Sequence, residues 1–349
     1  MPDKIRLIIP AAGWATRMRP QTWTKPKPLV SVAGRTVLDH LLDSFHTLPD
    51  PQAVETVIIF SPGVGEEQIP AYMKEQYPQR KVSFVLQPEM KGQAHALLLA
   101  RQHLAGPLLV CFSDTLLEAD FSILKGADVP CLAWVKTVPD PRRFGVAEVD
   151  EQGFVTRLVE KPISDGNKRV VVGCYYFNEG RDLLSAIEEQ IRSGRSIRGE
   201  YYLTETINLM LERGTKMRTA EADAWLDTGT IEATLETNRH LLARLPASLP
   251  DYLDEQACRK LGLTIVPPVA IHATSIISQA TIGPNASIGA GCTISNARVA
   301  DSILEAGVTL QDIALQGCFI GRRTVVKGRR AEDPPVTLNL GDDCSLDLK

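Results

Sequence analysis

Nowhere in the 349 residues does an apolar run approach the roughly 18 positions that a membrane-spanning helix needs. The N-terminal stretch MPDKIRLIIPAAG holds an apolar core of only about five residues, shorter than the h-region of a secretory signal. These absences predict a cytoplasmic protein with no membrane partner. Seven cysteines occur, at 111, 131, 174, 258, 292, 318 and 344, yet no CxxC pair joins any two of them. That scatter is unlike a disulfide framework or a zinc site and predicts core thiols in a reducing compartment. A basic surplus is missing as well. With a formal net charge of -4, the chain is not expected to bind nucleic acid or an anionic surface generally, so any anion site must be local.

What is present reads as an ordinary globular protein, 44% hydrophobic and 23% charged, long enough for two domains. Up to about residue 244 strands and helices alternate. Ile5–Ile9, Val54–Phe60, Val82–Gln87 and Leu108–Phe112 read as buried strands, and Val37, Leu38, Leu41, Leu42, Phe45 and Leu48 share one helical face. This alternation predicts an α/β domain with a Rossmann-like, mainly parallel sheet, whose ligands bind at the carboxyl ends of strands. Residues 245–268, with Pro246, Pro250, Pro267 and Pro268, read as a connector with one short helix. Beyond it Ile276, Ile282, Ile288 and Ile294 recur every six residues, with Gly283 and Gly289 after two of them and Ile320-Gly321 echoing the pair. A six-residue period of aliphatics predicts a hexapeptide β-helix over 269–349, each isoleucine pointing inward. The phase slips after Ile294, at Val299, Ile303 and Val308.

Two regions could carry chemistry. In IIPAAGWATRMRPQTWTKPKPLV an apolar run stops at small residues, and Arg17, Arg19, Lys25 and Lys27 follow among prolines. Ala11, Ala12, Gly13 and Ala15 permit close approach of backbone N–H groups to a phosphate or base, with Arg17 and Lys27 supplying charge. No G-K-[ST] and no GxGxxG appears in this stretch, which disfavours a P-loop and a dinucleotide fold. Pro26 and Pro28 fix the backbone on either side of Lys27 and so aim its ammonium at low entropic cost. Asp114 ends a buried strand and Asp227 lies in Trp225-Leu226-Asp227-Thr228-Gly229. A pair of carboxylates at a sheet rim suits Mg2+ held against substrate phosphates, although either aspartate alone could be a cap or turn residue.

Residues 11–29 resemble the signature of the sugar-1-phosphate nucleotidylyltransferases, A-G-G-x-G-T-R-L followed by P-K-x-L. Further matches follow in order: Gln87-Pro88 with Gly92-Gln93-Ala94, Ser113-Asp114, Asp140-Pro141 to Phe144-Gly145-Val146, Glu160-Lys161-Pro162, Val172-Gly173-Cys174-Tyr175, Arg198-Gly199-Glu200, and Trp225 to Gly229. The tail resembles that of long-form glucose-1-phosphate thymidylyltransferases, whose β-helix is left-handed. The resemblance implies that Ala11, Ala12, Gly13, Ala15 and Thr16 line a nucleoside triphosphate and that Arg17 and Lys27 grip its phosphates. Gln87 and Gly92 would read the base, and Asp114 and Asp227 would ligate Mg2+. Gly145, Glu160, Lys161, Val172 and Trp225 would hold a sugar 1-phosphate. Such a phosphate is already an anion near neutral pH, so transfer needs positioning and charge neutralisation rather than a general base. A homo-oligomer is also expected.

Ala15 stands where the family has glycine, and Ser113 stands before the metal aspartate where glycine is usual. If the position of Ala15 needs positive φ, alanine costs on the order of 1 kcal/mol there. Trp14 is expected to shield the turn, and His95 to serve packing. These departures keep open a non-catalytic, nucleotide-sensing homologue. Acetyl transfer by the β-helix is disfavoured, since His272, the one histidine after residue 240, precedes the regular repeats.

Overall fold

The β-branched and leucine-rich runs of the first half form one mixed sheet. The computed structural model describes residues 5–125, 131–244, 250, 253 and 255–348. The chain divides into two units, Met1–Trp14 with His40–Leu226, and Ala15–Asp39 with Asp227–Lys349.

In the first unit, Arg6–Pro10 pairs in parallel with Glu55–Phe60 on one side and Leu108–Cys111 on the other, and Val82–Leu86 adds in parallel beyond Glu55–Phe60. The four expected strands are present within one residue of their predicted ends. Beyond Leu108–Cys111 the direction reverses: Arg169–Phe177 runs antiparallel to it and also pairs with Cys131–Thr137 and Gly145–Val149. Val155–Glu160 closes a hairpin on Gly145–Val149. Leu7, Ile8, Ile9, Val57, Ile59, Leu108 and Val110 are 0% exposed, as strands covered on both faces must be. The predicted helical face is real: Val37, Leu38, Leu41, Leu42, Phe45 and Leu48 are all buried around helix Val37–Asp43. All seven cysteines are free thiols. No helix among the described residues is long and apolar enough to cross a membrane.

The second unit is a parallel β-helix with the Ala15–Asp39 segment. Residues 245–249, 251, 252 and 254 of the expected connector lie outside the described residues, and its later part holds the helix Glu255–Leu261. Two parallel ladders stack coil on coil, one built on Ile276–Ile282, Thr293–Ala300 and Thr309–Gln316, the other on Val269–Ile271, Ala286–Ile288 and Ile303–Leu304. Their registers align three apolar columns. Ile277, Ile294, Leu310 and Val326 form one; Ile282, Val299 and Leu315 the second; Ile271, Ile288, Leu304 and Ile320 the third. Ile282 → Ile288 → Ile294 therefore steps from face to face around one coil, which is why the period of six was visible.

The period fails at both ends for a geometric reason. Ile276 points outward and is 69% exposed, and Ile277 takes the inward place expected for it. Gln279, Asn296 and Asp312 adopt positive φ at the corner between two faces. Each turns the chain in one residue, shortening that side of the coil and producing the slip at Val299. Asn296 Nδ2 donates to Asp312 Oδ1 across that corner at 2.6 Å.

Helix Ile231–Arg244 is tied into this unit by Asn238, whose Oδ1 accepts from Ala33 N (2.8 Å) and Ser287 Oγ (2.7 Å) and whose Nδ2 donates to Asn285 O (3.1 Å). One amide thus joins the opening segment, the helix and a β-helix coil.

Candidate active site

Strand ends place the candidate residues of the first unit. After Arg6–Pro10, Ala11 N donates to Ile59 O at 2.7 Å, which carries the strand's pairing one residue further. Ala11 and Ala12 are buried and Gly13 is exposed. A Cβ built on Gly13 would meet no atom within 4 Å, so its backbone faces open space. Trp14 is 59% exposed and does not shield the turn.

Gln87 follows the edge strand Val82–Leu86 and is 4% exposed. Its backbone N donates to Phe60 O (2.8 Å) and its Nε2 to Gly92 O (3.4 Å), with His95 Nδ1 equally 3.4 Å away. Gln87 and Gly92 are therefore brought together, and His95 helps orient the amide rather than only filling space. Burial first, and then the Lys91 charge, hold His95 below its ordinary value, which favours the neutral imidazole that such a contact needs. Gly92 has φ 95°, and a Cβ there would lie 2.5 Å from Tyr201 O.

Asp114 sits in the turn between Leu108–Cys111 and Thr115–Glu118, half-buried beside the buried Ser113. The turn is held from below: Phe112 N donates to Gly173 O (3.0 Å) and Thr115 Oγ1 to Val172 O (2.9 Å). Val172 is itself 2% exposed, so its backbone supports the Asp114 turn.

Gly145 and Glu160 are register partners at the open end of their hairpin. A Cβ on Gly145 would meet Val171 Cγ2 at 3.0 Å and Glu160 Oε2 at 3.3 Å. Lys161, with φ 48°, lies with its Nζ 4.0 Å from Glu160 Oε1 and 5.7 Å from the Tyr202 ring centre. Trp225 packs edge-on against Phe144 at 4.8 Å, and its buried Nε1 has no acceptor among the described residues. Thr204 is a candidate that sequence reading missed. Its Cγ2 lies 3.5 Å from the Gly145 Cβ position, and its buried Oγ1 likewise lacks a partner. Nothing in its local sequence marks it, because only the packing of helix Leu203–Glu212 brings it there.

Burial raises the Glu160 carboxyl; Lys161 opposes this and Glu205 adds to it. A carboxyl raised in the folded state binds its proton there more tightly than in the unfolded chain. Its contribution to stability is therefore lost as pH rises from the ordinary value of 4.5 through the folded one. Glu160→Gln is expected to raise Tm relative to wild type by more at pH 7 than at pH 4. Equal differences at the two pH values in thermal scans would show that the carboxylate is not under this strain.

In the second unit, Ala15 has φ 45° and ψ 42° at the start of the 3-10 turn Thr16–Met18. The left-handed conformation anticipated for a glycine position is therefore adopted by alanine, at roughly 1–2 kcal/mol. Thr22 Oγ1 and Met18 N both donate to Ala15 O, at 2.8 and 2.9 Å, and hold it. Thr16 and Arg17 are exposed, whereas Lys27 is 9% exposed in the 3-10 turn Lys27–Leu29 between its two prolines. A Cβ on Gly229 would lie 2.7 Å from Asp227 Oδ1 and 3.4 Å from Arg17 Nη2, so the missing side chain leaves room for both groups. Gly229 N donates to Asp227 Oδ1 at 2.7 Å and fixes its orientation.

Asp114 and Asp227 belong to different units, and among the described residues no group of three or more His, Cys, Asp or Glu could hold a metal. A carboxylate at either position is by itself donor chemistry that suits Mg2+, a hard ion usually bound by one or two carboxylates with substrate phosphates completing its shell.

The comparisons accord with these observations. A glucose-1-phosphate thymidylyltransferase of Streptomyces antibioticus is 28% identical, aligned over 99% of this chain and 100% of its own length. A UTP–glucose-1-phosphate uridylyltransferase, AglF, of Haloferax volcanii is 29% identical over 68% of this chain and 96% of its own. The crystal structure of a UDP-glucose pyrophosphorylase with UDP-glucose shares the fold, with TM-score 0.59 and 18% identity over 70% of this chain and all of that one. The nucleotidyl transferase family model matches residues 6–244, well over half of the chain, and the protein belongs to that family.

Proposed function

We propose that this protein transfers a nucleotidyl group from a nucleoside triphosphate to a sugar 1-phosphate, releasing pyrophosphate, with thymidine triphosphate and glucose 1-phosphate as the favoured pair. The observation that carries this reading is the family match over residues 6–244, which takes in the small-residue turn whose backbone is open at Gly13 together with Gln87, Asp114, Glu160 and Asp227. The favoured pair follows from the Streptomyces relative, which spans the full chain, whereas the uridylyltransferase relative spans 68% of it.

In this reading the backbone of Ala11, Ala12, Gly13, Ala15 and Thr16 lines the nucleotide. Gln87, its amide oriented by Gly92 and His95, meets the base edge. Gly145, Glu160, Lys161, Val172 and Trp225 hold the sugar phosphate, with Glu160 toward hydroxyls and Lys161 toward the phosphate. Arg17 and Lys27 neutralise the phosphates so that a sugar-phosphate oxygen attacks the α-phosphorus in line, and the bond to the pyrophosphate oxygen breaks. Asp114 and Asp227 would hold Mg2+, which supplies positive charge to the phosphate oxygens when bound. The residues provide alignment and charge, and no proton has to be removed from the nucleophile.

Residues 1–244 would form the nucleotidyltransferase domain, 245–268 a connector and 269–349 a β-helix that supports homo-oligomer contacts. Exchange of radiolabelled pyrophosphate into a panel of nucleoside triphosphates, with glucose 1-phosphate and Mg2+ varied, tests the reading. Metal-dependent exchange, fastest with thymidine triphosphate, is expected. Nucleotide binding without exchange would favour the sensing homologue instead.

A further inference from the structure

Of the two cations of the opening stretch that the proposed reaction leaves unused, Arg19 is exposed, whereas Lys25 is 1% exposed. Its ammonium is enclosed by two acidic side chains from separate coils of the β-helix. It forms an ion pair with Glu305 and lies 3.0 Å from Asp342 Oδ1, and neither acidic side chain is more than 2% exposed. Both carboxylates also grip the backbone or neighbours of the same segment and coil. Glu305 Oε1 accepts from Ser31 N (3.2 Å), and Asp342 Oδ2 accepts from Thr24 Oγ1 (2.7 Å) and Arg322 Nε (2.9 Å). Asp342 Oδ1 also takes the Arg322 backbone N–H at 2.8 Å. Nearby, Gln21 Nε2 reaches Phe319 O, Asn339 Oδ1 and Leu340 O at 2.8–2.9 Å. Pro20 packs on Gly341, where a Cβ would come within 3.1 Å of the proline Cβ.

The segment from Pro20 to Ser31 is thus stitched to three coils through polar side chains. Arg17 lies just before it and Lys27 within it, on a backbone already stiffened by Pro26 and Pro28. Burying charge is an inefficient way to add stability, because desolvation cancels much of the attraction. Here burial, and after it the charges of Arg322 and Arg323, lower Lys25, and Asp342 only partly restores it, to about 8. What such a cluster provides is direction: charged hydrogen bonds hold one geometry where apolar packing tolerates several.

We propose that Lys25, gripped by Glu305 and Asp342, is a positioning residue for Arg17 and Lys27, so that the β-helix sets the placement of the nucleotide-binding cations. This rests on the nucleotidyl-transfer reading, and the experiment separates the two. In the full-length protein, Lys25→Met is compared with Lys25→Arg and with the charge-balanced pair Lys25→Met/Glu305→Gln. The pair leaves Asp342 with Arg322 and serves if the single variant does not fold. Amide hydrogen exchange and the KM and kcat of pyrophosphate exchange are measured in each.

The expected result is exchange at least about tenfold faster across residues 16–31 with unchanged protection at Ile288, Leu304 and Ile320. KM for the nucleoside triphosphate should rise about ten- to a hundredfold, as small misplacements of binding groups do elsewhere. Lys25→Arg should recover both. Unchanged protection and KM would overturn the proposal. So would an equal loss of protection in the segment and the β-helix core, since that marks a role in stability alone. A wild-type protein inactive with every triphosphate would defeat the functional reading and, with it, the assigned purpose of the cations. The amide data would still report whether Lys25 orders the segment.

Discussion

Asp114→Asn is expected to lower the pyrophosphate-exchange rate on the order of a hundred- to a thousandfold while Tm changes little. The amide keeps the size and shape of the carboxylate and removes its charge, which is what a divalent ion and its phosphates would require. The fold should tolerate the change because the turn is fixed by neighbours. Phe112 N on Gly173 O, Thr115 N on Phe112 O and Thr115 Oγ1 on Val172 O are all independent of the Asp114 side chain. The measurement is steady-state exchange against Mg2+ concentration beside a thermal scan. A rate within threefold of wild type would remove Asp114 from the site.

Gly92→Ala should be the most disruptive small substitution in the nucleotide-reading region. Its φ of 95° is a conformation that L side chains rarely adopt. The added Cβ would also lie 2.5 Å from Tyr201 O and 2.7 Å from Tyr201 N. These are backbone atoms, held in turn by Tyr201 N on Lys91 O (2.8 Å) and Ala94 N on Tyr201 O (3.0 Å), so no flexible side chain can give way. Backbone strain of about 1–2 kcal/mol and overpacking of about 1–3 kcal/mol predict a Tm roughly 5–15 °C lower. Gln87, whose amide reaches Gly92 O, should lose its orientation with the loop, so discrimination among triphosphates should weaken. Gly13→Ala is the control. No atom lies within 4 Å of its Cβ position, so Tm should hold and any loss should appear in the nucleotide KM. Similar Tm losses in both variants would show that the contact with Tyr201 is not decisive.

Local pattern made much of the fold legible. The strands at Arg6–Pro10, Glu55–Phe60, Val82–Leu86 and Leu108–Cys111 are short apolar runs bounded by breakers, and periodicity finds them because burial on two faces demands uninterrupted hydrophobes. The antiparallel half of the sheet was not resolved in the same way, since strand direction depends on pairing between distant segments. In the β-helix the six-residue period named the architecture, yet it misplaced the inward residue at its start. A single left-handed corner residue moves every later side chain, and whether Gln279, Asn296 or Asp312 takes that conformation is settled by the coil above and below.

The same division runs through the site. Small residues, prolines, cations and the two aspartates announce themselves in one dimension, because each is chosen for a chemical property it carries wherever it stands. Their partners do not. That Lys25 turns inward to Glu305 and Asp342, that Thr204 reaches Gly145, and that Arg17 and Asp227 both border Gly229 are matters of tertiary placement. From sequence alone come the family, the element types and the identity of the charged groups. Which charges are buried, which are paired and which are left to face solvent was decided only when distant segments closed over them, because the cost of a charge is set by its surroundings and not by its neighbours in the chain.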